Sequence, residues 1–339
     1  MPRLAALLTL ALLAAPLPAL AQDCVGRNLI ADMPADTRAL LNQAVAGVPY
    51  HRGLLWRATK GQQRITMVGT YHFQDPRHAA MMERMEPDLA DSALLMVEAG
   101  PEEEAQLSQA LTRDPSLTVT TDGPTLPERL TPEEWKVLSE AMAERGTPAV
   151  ITAKLRPWYV SMMLGISPCM LKGIAKDGEV QGLDHLLVAR AEALDLPVRA
   201  LEPWDTVFTL FADLTPDEEE DMIRATLPAA GYADDYAVTM TDAYFGADVW
   251  TIWEFGRFDA YDKSGLSRAE VDAQMRLAKR KLMDDRNASW IAPLTKAAAE
   301  AAAKGKGVVA GFGALHLPGE QGVLRLLEKD GWTVERLDG

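Results

Sequence analysis

The sequence predicts an α/β fold of two pseudo-symmetric halves, with short central sheets and many flanking helices. Three observations carry this. Short apolar runs of strand type, at 64–69, 93–97, 197–201 and 307–312, are separated by helical stretches, which is the pattern of α/β proteins. Two of those strands stop at Gly-x-x-His, as Gly69-Thr70-Tyr71-His72 and Gly313-Ala314-Leu315-His316. Each motif is followed by a loop, a helix and another strand, so the two ends of the chain read as a pseudo-repeat.

The first element is expected to be a signal peptide cleaved after Ala21. Met1-Pro2-Arg3 is a short basic start, residues 4–15 are almost all Leu and Ala, Pro16 and Pro18 end the run, and Ala19-Leu20-Ala21 has the small-x-small form of a cleavage site. The run is shorter than the roughly 20 apolar residues of a bilayer span, and no later stretch is long and apolar enough to make one. The expected mature chain is 22–339, a single domain that is periplasmic or secreted. Gln22 and Asp23 stand between Cys24 and the cleavage point, which argues against lipidation. In an oxidising compartment the only two cysteines, Cys24 and Cys169, are expected to pair.

Residues 54–60 and 64–69 are β-like runs around Gly61-Gln62-Gln63, a hairpin signal. Helix 78–89 follows, with Met81, Met82 and Met85 at helical spacing. Residues 93–97 form a continuous apolar run of the buried-strand type, ending at Glu98. An acidic helix begins at Glu102, and 113–126 reads as loop with one strand at most. Thr131-Pro132-Glu133-Glu134 caps a helix to 145, and another runs from Pro157 to 171. Helix 183–194 precedes strand 197–201, which ends again at a glutamate, Glu202. Thr215-Pro216-Asp217-Glu218 is a second capping box, its acidic run serving the helix dipole and solvation. Helices 267–283 and 288–304 lead to the Gly/Val strand 307–312, then to a helix near 320–329 and a strand at 332–336.

Composition narrows the function. With 48% apolar residues the chain can bury a large core, and with 49 Asp and Glu against 34 Lys and Arg its net charge is −15. That balance argues against nucleic acid, whose binders cluster Lys and Arg to displace phosphate counterions. No Walker loop, H-E-x-x-H helix or nucleophile elbow is present, and Gly311-Phe312-Gly313 lacks the later small residue of a dinucleotide fingerprint. Ligand sites of α/β sheets gather at the carboxyl ends of strands. His72 and His316 are therefore expected to converge there, joined by Glu98 if its strand runs parallel to the first. The other three histidines carry less: His78 is expected on the surface, His185 at a helix start beside a capping Asp184, and His51 in a turn. Trp250 and Trp253 are expected to pack into the core.

Read together, these residues resemble the TraB/PrgY/GumN group, which includes the Tiki proteins, and the exported GumN branch in particular. The resemblance rests on Leu55-Trp56-Arg57, Val68-Gly69-Thr70-Tyr71-His72, Val97-Glu98, Arg156-Pro157-Trp158, Gly182-Leu183-Asp184 and Ala200-Leu201-Glu202-Pro203. It closes on Arg286-Asn287-x-x-Trp290 and on the stretch from Gly313 through Leu317-Pro318-Gly319-Glu320 to Gly322-Val323. It implies a fold related to erythromycin-esterase-like and ChaN-like proteins, with the paired motifs and a glutamate in one pocket. It also implies metal-dependent proteolysis, as associated with the Tiki branch. His72, Glu98 and His316 are then the expected metal ligands, Glu202 a general base, and Arg286 with Asn287 the pair that stabilises an oxyanion or orients a ligand.

Two imidazoles and a carboxylate leave an open position for water on a divalent ion, which lowers that water's pKa towards roughly 7 in the case of zinc. Manganese, cobalt, zinc and iron all suit such ligands. Two other functions use the same residues: a metal-free esterase with a His/Glu acid–base pair, and a non-catalytic peptide-binding or regulatory protein. The expected partner is a peptide or small molecule.

Overall fold

The computed structural model describes residues 24–177 and 182–339; the expected signal segment, 1–21, lies outside the described residues. The strands are β1 (Leu55–Lys60), β2 (Gln63–Thr70), β3 (Ser92–Val97), β4 (Val198–Ala200), β5 (Gly307–Gly313) and β6 (Thr333–Arg336). They form one six-stranded sheet in the order β4-β3-β5-β2-β1-β6. β4, β3, β5 and β2 are mutually parallel, while β1 runs antiparallel to both β2 and β6.

The sheet is buried on both faces, and successive residues alternate between two cores as the strand period requires. Trp56, Met67, Met96, Val308 and Ala310 face the helices Asp285–Ala302 and Val323–Lys329. Leu55, Val68, Leu95, Val97 and Val309 face the helices His78–Ala90 and Leu183–Ala193. The result is a three-layer α/β/α arrangement. The long crossovers from β3 to β4 and from β4 to β5 carry further helices, with a separate apolar cluster around Leu138, Met142, Val160 and Ile223.

Most local expectations hold. The hairpin turns through Gly61 with a φ of 61°, a left-handed value that favours glycine. Thr131 and Thr215 close capping boxes with Glu134 and Glu218. Trp250 is buried with Leu41, Val45 and Met283. Cys24 and Cys169 are joined, with Cα atoms 5.6 Å apart.

Other expectations are corrected. The two Gly-x-x-His strands are neighbours in one sheet, β2 beside β5, and the described residues show no second sheet to give each half its own. Gly69 and Thr70 lie within β2, whereas Gly313 is the last residue of β5. A Cβ on Gly69 would lie 2.9 Å from the Cα of Ala314; absence of a side chain lets the two motifs pack backbone to backbone. The helix expected from Pro157 to 171 is two, Pro157–Leu164 and Pro168–Asp177. The helices expected at 267–283 and 288–304 are one continuous rod, Arg268–Lys279 running into Asp285–Ala302 through a π-helical turn, Arg280–Asp284. Residues 113–126 are mostly loop, as expected, with a short 3-10 turn at Pro115–Leu117 and an isolated bridge from Val119 to Leu155.

Candidate functional site

Four parallel strands end on the same edge of the sheet, and each delivers one polar side chain there. β2 leads to His72, β3 to Glu98, β4 to Glu202 and β5 to His316. Register sets them level: Thr70 pairs with Gly313, and Val97 pairs with both Gly311 and Ala200. The parallel ladder extends one step further, because Glu202 N–H donates to Glu98 O at 3.2 Å. Arg286 and Asn287 come from the start of helix Asp285–Ala302 on one face. Asp184 comes from the first turn of Leu183–Ala193 on the other face, where Leu183 N–H donates to Tyr71 O.

Gly313 marks the centre. A Cβ there would lie 3.2 Å from Glu98 Oε1 and 3.6 Å from both His72 Nε2 and His316 Cδ2. The two imidazoles and the carboxylate therefore surround one point above a residue that offers no side chain to fill it. Gly313 N–H also donates to Glu98 Oε1 at 2.5 Å. Each imidazole is anchored through its far nitrogen: His72 Nδ1 to Asp184 Oδ2 at 2.8 Å, and His316 Nδ1 to Asn287 Oδ1 at 2.6 Å. Asn287 is buried and donates its amide to Gln321 O at 2.9 Å. Its oxygen must then face His316, which makes Nδ1 the protonated nitrogen and leaves Nε2 with its lone pair.

Arg286 ties the rest together. Its Nε and Nη2 donate to the two oxygens of Glu202 at 2.6 and 2.8 Å, and Nη2 donates to Glu98 Oε2 at 2.6 Å. Nη1 donates to Leu282 O at 3.0 Å and to His316 Nε2 at 3.2 Å. All of the five N–H donors of a guanidinium are thereby used. Trp290 Nε1 donates to Glu202 Oε1 at 3.0 Å, and its ring packs on His316 with centroids 4.5 Å apart. The π-helical turn ends at Asp284, two residues before Arg286, and supplies Leu282, whose carbonyl takes one of the guanidinium hydrogens.

Protonation follows from this. Burial opposes the charge of Glu98, but His316, Arg286, His72 and the Gly313 N–H hold its carboxyl far below the usual range. His316 is itself pushed down to about 4, chiefly by burial and further by Arg286, so at neutral pH the cation beside Glu98 is Arg286. Desolvation lowers His72, yet the Asp184 carboxylate outweighs it and the net shift is upward. Because the His72 side chain is 57% exposed, solvent screens that attraction and only its direction matters here. One imidazole is thus kept neutral and the other biased towards the cation.

The structure brings all six expected site residues to one edge, but their contacts redistribute the roles. Glu202 has both oxygens engaged by Arg286 and Trp290, which suits holding the arginine in place better than taking a proton. Arg286 has no donor left for an oxyanion. Asn287 orients His316. Asp184, expected to cap a helix, reaches back to His72 instead, a contact across 112 positions that no local pattern announces. His78 is corrected as well: expected on the surface, it is 1% exposed, its Nε2 against Phe73 O at 2.9 Å and its ring among Tyr71, Tyr244 and Phe245.

For a divalent ion the donor types fit. A carboxylate and an amide fix Nδ1 of the two imidazoles, the outer-sphere arrangement common to metal-binding histidines, but His316 Nε2 already takes Arg286 Nη1 at 3.2 Å, a contact that an ion would have to displace. Among the described residues, however, no three His, Cys, Asp or Glu side chains already form a closed ligand group.

A profile of the TraB/PrgY/gumN family matches residues 54–336, and the chain belongs to that family. The match takes in both Gly-x-x-His motifs and every residue of the site. No curated protein matches the chain.

Proposed function

We propose that this site hydrolyses amide or ester bonds in a peptide or small molecule, with His72, Glu98 and His316 holding a divalent ion. The observation that carries the reading is their convergence over Gly313, with both imidazoles anchored through Nδ1 and His72 Nε2 and Glu98 Oε1 turned to the same point. An ion bound there would lower the pKa of a water and polarise the scissile carbonyl. The chain's own residues do the rest. Asp184 and Asn287 fix the rings, Gly313 leaves room for the reacting group, and Arg286, locked by Glu202, keeps Glu98 ionised. In this reading His72 stays neutral, its Nδ1 held by Asp184 and its Nε2 kept for the ion.

A metal-free hydrolase is the second reading, and a specific contact favours it: Arg286 already occupies Glu98 Oε2 and His316 Nε2. In that case the Asp184–His72 pair is the acid–base couple, the carboxylate orienting the imidazole as in Asp–His pairs elsewhere. The disulfide and the absence of any long apolar helix among the described residues are consistent with an exported protein, which is the location we propose.

The test combines metal analysis with a peptide-library digest of wild type and a His72→Ala, His316→Ala double variant, with and without a chelator. Bound metal and chelator-sensitive cleavage in wild type alone support the first reading. Equal metal content in both proteins refutes the ion, and cleavage that survives exhaustive chelation supports the second. Binding of peptides without any cleavage refutes both and supports a peptide-binding protein.

A further inference from the structure

Residues Tyr71 and Phe73, on either side of His72, line a cavity of about 310 Å³ between the end of β2 and the helical crossovers. The size falls at the lower end for small-ligand pockets. Small residues make much of its wall: Ala229, Ala233 and Ala237 at four-residue spacing, and Gly256 and Ala260 on the helix Val249–Lys263. Protein interiors ordinarily close such spaces. This one stays open with the two chain neighbours of His72 in its wall, and its charged lining is self-neutralised. Lys263 Nζ lies 2.6 Å from Asp259 Oδ1 and 3.8 Å from the centre of the Tyr232 ring, while the Tyr232 hydroxyl donates to Asp259. One polar atom is left over: the Tyr236 hydroxyl has no hydrogen-bond partner among the described residues, and it lies 3.0 Å from where a Cβ on Gly256 would stand.

We propose that this cavity is the specificity subsite of the centre, taking an uncharged apolar group of the substrate close to the bond that His72 addresses, with the Tyr236 hydroxyl hydrogen-bonding the polar end of that group. The proposal rests on the hydrolytic reading of the adjoining site. Tyr71 and Phe73 flank His72 in the chain, which ties the cavity to the segment that carries the imidazole, and the paired Lys263 and Asp259 disfavour a charged group. The same chemistry is offered by the acyl chain of a lipidated peptide and by a large apolar side chain of an ordinary one.

The experiment separates binding from turnover. Calorimetry measures N-acetyl-, N-hexanoyl- and N-decanoyl-glycine amide, and acetylated tripeptide amides with Gly, Leu or Phe at the centre, against wild type, His72→Ala, Gly256→Leu and Ala260→Leu. Affinity for wild type is expected to rise roughly threefold or more per added methylene until the cavity is full. His72→Ala should retain that rise, while both filling variants lose it. A gain confined to the acyl series identifies a lipid chain, and one confined to Leu and Phe identifies a side chain. Equal affinity across both series in wild type overturns the subsite. So does a chain-length dependence unchanged in whichever filling variants keep the wild-type melting curve. Chain-length-dependent binding in a protein that cleaves nothing would leave the cavity a ligand site and remove the hydrolase reading alone.

Discussion

Arg286 meets Glu202 through two parallel hydrogen bonds, Nε to Oε1 and Nη2 to Oε2, and the remaining donors of the guanidinium go to Glu98, His316 and Leu282. A planar fork is needed for this, which a lysine cannot supply.

Arg286→Lys should therefore behave almost as a deletion. Lysine keeps the charge but carries three donors on one nitrogen in place of five on a planar fork, so contacts to Glu98, Glu202, His316 and Leu282 are lost among side chains that are largely buried. The expected result is a lowered denaturation midpoint together with loss of activity, whereas Glu202→Gln, which keeps an oxygen for Nε, should lose less of each. Unfolding curves of the two variants check this; equal losses would contradict the fork.

Asp184→Asn removes the charge that lifts His72. The His72 pKa should fall in the variant, since desolvation then acts with less opposition, and activity should drop about 10- to 100-fold as for other partners that orient a functional histidine. The imidazole chemical shifts of His72 followed against pH read the first effect directly, and steady-state rates read the second.

Gly313→Ala places a methyl group 3.2 Å from Glu98 Oε1 and 3.6 Å from two imidazoles. The strand should still form, because alanine tolerates an extended backbone. Activity, or metal content where metal is bound, should fall while the melting temperature moves little. A fully active Gly313→Ala protein would show that reaction takes place elsewhere.

The disulfide closes a loop across 145 positions. Removing a native disulfide typically costs about 2–5 kcal/mol, so the Cys24→Ser, Cys169→Ser variant should unfold at lower denaturant, and a thiol count on unreduced, denatured wild type should find none.

Acid should loosen the helical crossovers. Hydrogen bonds from their cap residues lower Glu128, Glu218 and Glu270, and Arg224 with the Thr131 cap overcomes partial burial to lower Glu134. A depressed folded-state pKa contributes stability that is present above the unfolded value near 4.5 and lost as pH falls through the folded one. Melting temperature is expected to decline as the pH is lowered below about 4.5. Replacing the four glutamates by glutamine, which preserves the box without a titrating group, should flatten that decline.

The cap residues show why part of the fold is legible. A threonine and a glutamate three positions apart satisfy one another's backbone within a single turn, so the pattern carries its own reason and the helix starts fall where expected. Apolar strands bounded by glycine are similarly local, and the Gly-x-x-His pairs placed His72 and His316 at strand ends before any partner was known. Helices within 201–266 were scarcely marked, because their faces are polar or aromatic by turns and their contacts lie with other crossovers.

By itself, then, the sequence determined the α/β class, the cysteine pair, the family likeness and the candidates His72, Glu98, Glu202, Arg286, Asn287 and His316. Only the tertiary structure decided what each one touches. Asp184 finds His72 across 112 positions, Arg286 finds Glu98 across 188, and His78 is turned inward by aromatic rings from a distant helix. Such contacts leave no period or spacing along the chain, because they are made by the parallel register of one shared sheet and by two helices packed on its opposite faces.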